Sequence, residues 1–345
     1  MNDETRKPGS EAELIDEFRK IFRADDPPTD LLLGIGDDAA AFEPGVDPDS
    51  KFVVTADMLV EDVHFTLKTH SLYDIGYRTA VANISDIAAM GAQPRWGVAT
   101  VAVPSDLSRK DILDLARGLG DPMSKFDARI IGGDMTSSPD RMSLSMTIIG
   151  ETSFNLAIRS GAKLGDSIAV TGSLGKSGAG LSLLLDREIE VPESVREYLV
   201  DTHHKPVPRV MAGKILANLA GIHSMMDISD GLGIDIGRIC AASNVGCRIW
   251  EEQIPISNEV LAVAEAIDRD HLDFVNSGED FELLITGDEK AIELAVEVFR
   301  DNGLDLDLSI IGEIIDQPFG MHIARVDGSV VNPASLGWDH FSRKE

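Results

Sequence analysis

Between Asn83 and Ala92 the chain reads Asn-Ile-Ser-Asp-Ile-Ala-Ala-Met-Gly-Ala, and one acid, Asp86, stands among small and apolar residues with no Lys or Arg in the segment. An ionised carboxylate withdrawn from water is costly unless a cation or several hydrogen bonds offset the loss of hydration. The same setting recurs at Gly36-Asp37-Asp38-Ala39, Thr55-Ala56-Asp57, Gly132-Gly133-Asp134 and Asp227-Ile228-Ser229-Asp230-Gly231, seven acids in all. Carboxylates gathered in one place repel one another and raise each other's pKa. Hard divalent cations such as Mg²⁺, which prefer oxygen ligands, relieve that repulsion. The pattern points to a site with several metal ions that handles phosphate, and it requires these segments to converge.

Each acid taken singly has a plainer explanation. Asp37-Asp38 reads as a solvated turn, Asp57 as a helix N-cap, Asp134 as a turn cap and Asp230 before Gly231 as a turn former. Five such segments in one chain, each following an apolar stretch, favour metal binding over five separate turns. His64 reads as a packed core histidine or a substrate contact. Arg159 has the planar fork that suits phosphate, though a surface ion pair is its default. Trp338 reads as core or as an aromatic platform, His203 and His204 as exposed loop residues, Cys240 and Cys247 as core. Gly172-Ser173-Leu174-Gly175-Lys176-Ser177 falls short of a phosphate loop because Val170 stands where that pattern needs glycine, and a strand-to-helix turn is expected instead. Gly34-Ile35-Gly36 falls short of the dinucleotide fingerprint in the same way.

At 345 residues the chain is long enough for two ordinary domains. Strand-like and helix-like stretches alternate in both halves, which predicts two α/β (or α+β) domains. The turn-rich connection from Arg159 to Asp166 places the boundary near residues 155 and 156, giving domains of 1–155 and 156–345. Strands are expected at Leu31 to Ile35, Lys51 to Ala56, Ala128 to Ile131 and Ser167 to Thr171, and helices at Glu11 to Phe22, Asp74 to Met90 and Ser108 to Phe126. The formal charge of −28 argues against a nucleic-acid partner. It also repels phosphorylated metabolites, so a phosphate substrate needs cations or backbone N–H groups to enter. Two cysteines are too few for a disulfide framework. Met1 to Glu13 is too polar for a secretory signal, and no apolar run reaches the roughly 18 residues of a membrane span. A cytoplasmic protein without membrane attachment is expected.

Together, Gly34 to Ala39, Thr55 to Phe65, Asn83 to Ala92, Gly132 to Thr136, Arg159 to Ala162, Asp227 to Leu232 and Ser277-Gly278-Glu279-Asp280-Phe281-Glu282 closely resemble, in order, the segments of the thiamine-monophosphate kinase family. The resemblance implies the two-domain fold of the aminoimidazole-ribonucleotide synthetase superfamily: an N-terminal domain forming a β-barrel with a second subunit in a homodimer, and a C-terminal α/β domain. It implies phosphorylation of thiamine monophosphate to thiamine diphosphate, with ATP as co-substrate and several Mg²⁺ ions. Asp38, Thr55, Ala56 through its carbonyl, Asp57, Asp86, Asp134, Asp227 and Asp230 fall at metal positions. Gly133, Asp134, Arg159 and Ser229 fall where ATP is held, and His64, Glu279 and Trp338 near the substrate. Ala56 replaces a hydroxyl residue of some members, and Met135 stands where Thr is usual.

In such a reaction catalysis is mostly positioning and charge neutralisation. The nucleophile is a phosphate oxygen already ionised near neutral pH, so neither a general base nor a phosphoenzyme is expected. Two alternatives stay open on the residues alone. One is another ATP-dependent enzyme of the superfamily acting on a different acceptor; a selenophosphate-type reaction is disfavoured because the N-terminal segment has no Cys. The other is a non-catalytic protein that binds metal or nucleotide.

Overall fold

The structure, a computed structural model, describes residues 17–22, 31–33, 41–42 and 49–333. The chain divides into two compact units, Met1–Ile87 with Ala92–Phe154, and Ala88–Gly91 with Asn155–Glu345.

In the first unit, β1 (Leu31–Leu33) and β2 (Ala41–Phe42) pair antiparallel. Four longer strands, β3 (Lys51–Val60), β4 (Gln93–Pro104), β5 (Arg129–Ser138) and β6 (Ser143–Thr152), form a sheet in the order β3-β6-β4-β5. The pairs β3/β6 and β4/β6 are antiparallel and β4/β5 is parallel. Helix α1 (Leu72–Ala89) and helix α2 (Arg109–Lys125) bring Ile75 and Leu115 into one core with Leu59, Val103 and Leu144 of the sheet. Ser108 starts α2 through a capping box with Asp111, in which each side chain satisfies a backbone N–H that the helix itself cannot. The two helices touch backbone to backbone: a Cβ on Gly76 would lie 2.3 Å from the Leu115 carbonyl oxygen, and one on Gly118 2.1 Å from that of Tyr73.

Two expected strands run longer than their apolar stretches. β3 continues past Ala56 to Val60 and β5 past Ile131 to Ser138, so Asp57 and Asp134 lie inside strands rather than at strand ends. Neighbouring strands supply ladder partners along the extra length, and a backbone with partners stays extended whatever its side chains. Of the helix expected from Glu11 to Phe22, residues 17–21 are helical, and the rest lies outside the described residues.

The second unit is built on seven strands: β7 (Ser167–Thr171), β8 (Ile222–Asp227), β9 (Gly246–Trp250), β10 (Leu283–Gly287), β11 (Leu308–Ile315), β12 (Met321–Ala324) and β13 (Val330–Val331). Their order is β13-β12-β9-β11-β7-β10-β8. Its helices are α3 (Lys176–Leu185), α4 (Glu193–His204), α5 (Val210–Asn218), α6 (Leu232–Ser243), α7 (Asn258–Ala266), α8 (His271–Val275) and α9 (Glu289–Asp301). Successive residues of a strand face opposite ways. Accordingly Ile168, Val170, Met226 and Leu284 pack with Ile236 and Ile239 of α6, while Ala169, Met225, Leu283 and Ile285 pack with Leu216 of α5 and Ile292 and Phe299 of α9. The sheet is thus covered on both faces, which explains the unbroken apolar character of β7 and β10. Cys240 and Cys247 are buried, as expected. His203 and His204 are corrections: they form the last turn of α4, His204 half-buried and His203 1% exposed with its Nδ1 2.9 Å from Ser177 Oγ. Among the described residues no helix is long and apolar enough to cross a membrane.

Candidate metal and phosphate site

In the first unit, the alternation of β3 turns Thr55 and Asp57 to the side of buried Leu59 and leaves Phe52, Val54, Ala56 and Met58 exposed. Thr55 Oγ1 donates to Asp86 Oδ2 on α1. One turn earlier on the same helix, Asn83 Oδ1 accepts from the Asp57 backbone N–H at 2.9 Å. Asn83 is itself fixed, its Nδ2 donating to the Thr79 carbonyl at 2.9 Å with no exposed surface. Residues three apart on a helix share a face, so the Thr55 hydroxyl meets the Asp86 carboxylate while Asp57 stands on the same face of β3 with its backbone held by Asn83. That donor set suits a hard cation such as Mg²⁺ better than a softer one. His64, just beyond β3, accepts the Val60 N–H at Nδ1 over 3.0 Å, which puts the proton of the neutral ring on Nε2.

Asp134 does not join this group within the unit. Asp57 lies in the cross-strand row Met146–Ala99–Gly133, whereas Asp134 lies in the next row, with Thr100, Ser145 and Met58. Adjacent rows face opposite sides of a sheet, and Asp134 is exposed. Gly133 is held against β4 so closely that a Cβ would lie 1.9 Å from the Ala99 carbonyl oxygen.

In the second unit, β8 ends on Asp227, 2% exposed. The loop after it is shaped by a residue that the sequence reading passed over. Asp235, in the first turn of α6, accepts at Oδ2 the N–H groups of Ser229, Asp230 and Gly231 at 3.0, 3.0 and 3.1 Å. Burial pushes its carboxyl up to about 6, against the opposing pull of Arg238. A second loop is laced to the first. The Ser229 carbonyl accepts Glu279 N–H at 2.8 Å, the Ile228 carbonyl accepts Phe281 N–H at 3.0 Å, and the Glu282 carbonyl accepts Ile228 N–H at 2.8 Å. Gly278 has φ +78°, and a Cβ there would lie 2.4 Å from the Ser229 carbonyl oxygen. Glu279 and Phe281 also adopt left-handed conformations, φ +62° and +52°, a strain that the lacing holds in place.

The base of this second loop rests on two carboxylates, Glu282 buried and Asp280 half-buried. Glu282, 2% exposed, takes the fork of Arg209 at 2.7 and 2.6 Å and the Thr171 hydroxyl at 2.7 Å. Asp280 accepts the N–H groups of Gly175 and Ser177 at 2.7 and 3.1 Å, and burial pushes its carboxyl up to about 7. The glycine-rich turn at Gly172 to Ser177 therefore spends its anion-binding N–H groups on the chain's own carboxylate. It is a strand-to-helix turn that anchors the Glu279 loop, in line with the glycine missing at position 170.

Arg159 is exposed, and the carbonyl of the preceding Ile158 accepts the Met225 N–H at 3.0 Å, which sets it along β8. Asp38 and Trp338 lie outside the described residues. Among the described residues of this unit two other His and carboxylate clusters occur, Asp166 with His223 and Asp288, and Glu251 with Asp270 and His271. The second already holds the guanidinium of Arg325, at 3.1 Å from Glu251 and 2.6 Å from Asp270. Sequence reasoning missed Asn83, Asp235 and Arg238. Asp235 left one signal, an acid shortly after Gly231, where the first turn of a helix favours negative charge.

Residues 36–152 match AIR synthase related protein, N-terminal domain, and residues 163–323 match AIR synthase related protein, C-terminal domain. Thiamine-monophosphate kinase of Bacillus subtilis (strain 168) is 35% identical over 317 residues, 90% of this chain and 93% of that protein. The enzyme of that name from Escherichia coli (strain K12) is 34% identical over 317 residues, 91% and 93% of the two chains. Among solved structures, thiamine-monophosphate kinase from Stenotrophomonas maltophilia K279a superposes with a TM-score of 0.79 at 34% identity, over 93% of this chain and 98% of that one. A structure described as AaThiL complexed with AMPPCP and TMP superposes with a TM-score of 0.74 at 29% identity, over 96% and 97%.

Proposed function

Because the chain belongs to the thiamine-monophosphate kinase family of AIR synthase related proteins, we propose that it transfers the γ-phosphoryl group of ATP to thiamine monophosphate. The observation that carries this reading is the likeness itself, which spans both domains and every acidic segment from Asp57 to Asp230. Thr55, the Ala56 carbonyl, Asp57 and Asp86 are assigned to Mg²⁺ from the first unit, with Asp38; Asp134, whose row faces the other side of the sheet, is assigned to a separate ion, and Asp227 and Asp230 to Mg²⁺ from the second unit. Gly133, Asp134, Arg159 and Ser229 are assigned to ATP, and His64, Glu279 and Trp338 to thiamine monophosphate.

The oxygen-only donors gathered by Thr55 and Asp86 fit a hard divalent cation. When bound, Mg²⁺ neutralises phosphate charge and lets two anions approach in line. The chain's own residues supply orientation. Asn83 holds the Asp57 backbone, Asp235 holds the Ser229 to Gly231 backbone, and Gly278 lets the Glu279 loop lie against Ser229. Attack by the acceptor phosphate oxygen on the γ-phosphorus forms one P–O bond as the bond to the β,γ-bridging oxygen breaks and ADP leaves. The attacking oxygen is already ionised, so no side chain takes a proton and none becomes phosphorylated.

A homodimer is part of the proposal. Phe52, Val54 and Met58 are 42, 63 and 56% exposed on the face of β3 turned away from its helices, an apolar stripe of the kind that a second subunit covers. The free thiols Cys240 and Cys247 suit a reducing cytoplasm. The test is incubation with ATP, Mg²⁺ and thiamine monophosphate, followed by separation of the products. Thiamine diphosphate and ADP in equal amounts are expected, with inversion at a chiral γ-phosphate. ATP consumption that ignores thiamine monophosphate, or retention of configuration, contradicts the proposal.

A further inference from the structure

Arg238 stands on α6 at a point where carboxylates crowd. Its Nη1 donates to Asp235 Oδ1 at 2.7 Å and its Nη2 to Asp230 Oδ2, so one guanidinium spans both acids. Asp235 is fully buried and holds the N–H groups of Ser229, Asp230 and Gly231 through its other oxygen. The chain of contacts therefore closes on itself: Asp230 side chain to Arg238, Arg238 to Asp235, Asp235 back to the Asp230 backbone. Lysine could not do the same, since its ammonium is a point charge without a planar fork.

An ion-binding loop that has to be ordered by its ion binds that ion more weakly, because the apparent affinity is the intrinsic one reduced by the fraction of molecules already competent. Three carboxylates facing one another without a cation would open such a loop by repulsion. We infer that Arg238 is a positioning residue that pre-forms the Asp227 to Gly231 loop for a divalent cation, by clamping Asp230 to Asp235 before any ion arrives. The inference rests on the reading of Asp227 and Asp230 as cation ligands. It assigns Arg238 no contact with either substrate.

The test compares wild type with Arg238→Met and Arg238→Lys. In Arg238→Met the Mg²⁺ concentration for half-maximal turnover is expected to rise about tenfold, with kcat at saturating Mg²⁺ within about twofold of wild type. Arg238→Lys is expected to rise by about threefold, keeping the charge but losing the fork. Hydrogen exchange at Ser229, Asp230 and Gly231 supplies a readout independent of turnover. Without divalent ion these amides are protected in wild type and exposed in Arg238→Met, and Mg²⁺ with a non-hydrolysable ATP analogue restores them. Wild-type half-saturation together with wild-type protection in Arg238→Met overturns the inference. So does a loss of kcat that no Mg²⁺ concentration restores. If Arg238→Met fails to fold, Arg238→Lys decides, and an unchanged half-saturation there overturns it. Wild-type turnover that needs no divalent ion would instead sink the parent reading.

Discussion

The two acid-bearing regions are built by opposite means. In the first unit, Thr55, Asp57, Asn83 and Asp86 sit on a ten-residue strand and an eighteen-residue helix, and their geometry follows from the period of each element. In the second, Ile228 to Gly231 and Ser277 to Glu282 are irregular backbone. They are held by three N–H bonds to Asp235, three bonds between the loops and a glycine with no room for a side chain. Oxygen donors on regular elements gain rigidity from the whole ladder. Donors on a laced loop depend on each lace, so one small change there should reach further.

Among substitutions that leave every proposed carboxylate ligand in place, Gly278→Ala should have the largest effect. The new Cβ meets the Ser229 carbonyl oxygen at 2.4 Å in a conformation of φ +78°, and both loops must shift. A displacement of that kind lowers kcat by roughly 100-fold, with a fall in Tm, read by steady-state kinetics and thermal unfolding. Thr55→Val should cost less. It keeps the strand-favouring branched shape and removes only the hydroxyl bonded to Asp86, for an expected loss of about tenfold in turnover and little change in Tm. If Thr55→Val proved as damaging as Gly278→Ala, the contrast between a rigid half and a laced half would break.

Asp280→Asn should have the smallest effect and the clearest pH signature. Burial raises the folded carboxyl from 3.8 to about 7, so the folded protein keeps a proton that the unfolded chain has already released. That contribution to stability is fully present below about pH 4 and is lost as pH climbs through about 7. Thermal unfolding across this range should show a decline in wild type that is partly flattened in Asp280→Asn. Equal slopes in the two proteins would remove Asp280 as its source.

The same contrast explains what could be read from the sequence. Strand Ser167 to Thr171 and helix Ser108 to Phe126 announce themselves through an apolar run and an amphipathic pattern, and the structure has them as Ser167–Thr171 and Arg109–Lys125. The positions of Asp57 and Asp134 inside strands were hidden, because the pairing that extends β3 and β5 comes from neighbours distant in sequence. β8 was missed, since His223, Ser224 and two methionines carry little strand character. Acids in apolar settings were conspicuous, whereas Asp235 and Arg238 looked like ordinary helix-surface charges until their partners were seen. His203 and His204 read as exposed loop residues because their polar neighbours mask a helix end, where His203 packs against Ser177.

The most direct measurement is a titration with Mn²⁺, followed by its electron paramagnetic resonance, in the presence of a non-hydrolysable ATP analogue. Wild type, Asp86→Asn and Asp227→Asn should be compared at equal protein concentration. If Asp86 and Asp227 each hold an ion, each substitution binds fewer Mn²⁺ than wild type and lowers kcat by about 1,000-fold or more while the fold stays intact. Wild-type stoichiometry and affinity in both variants, with near-normal kcat, would contradict the proposed site.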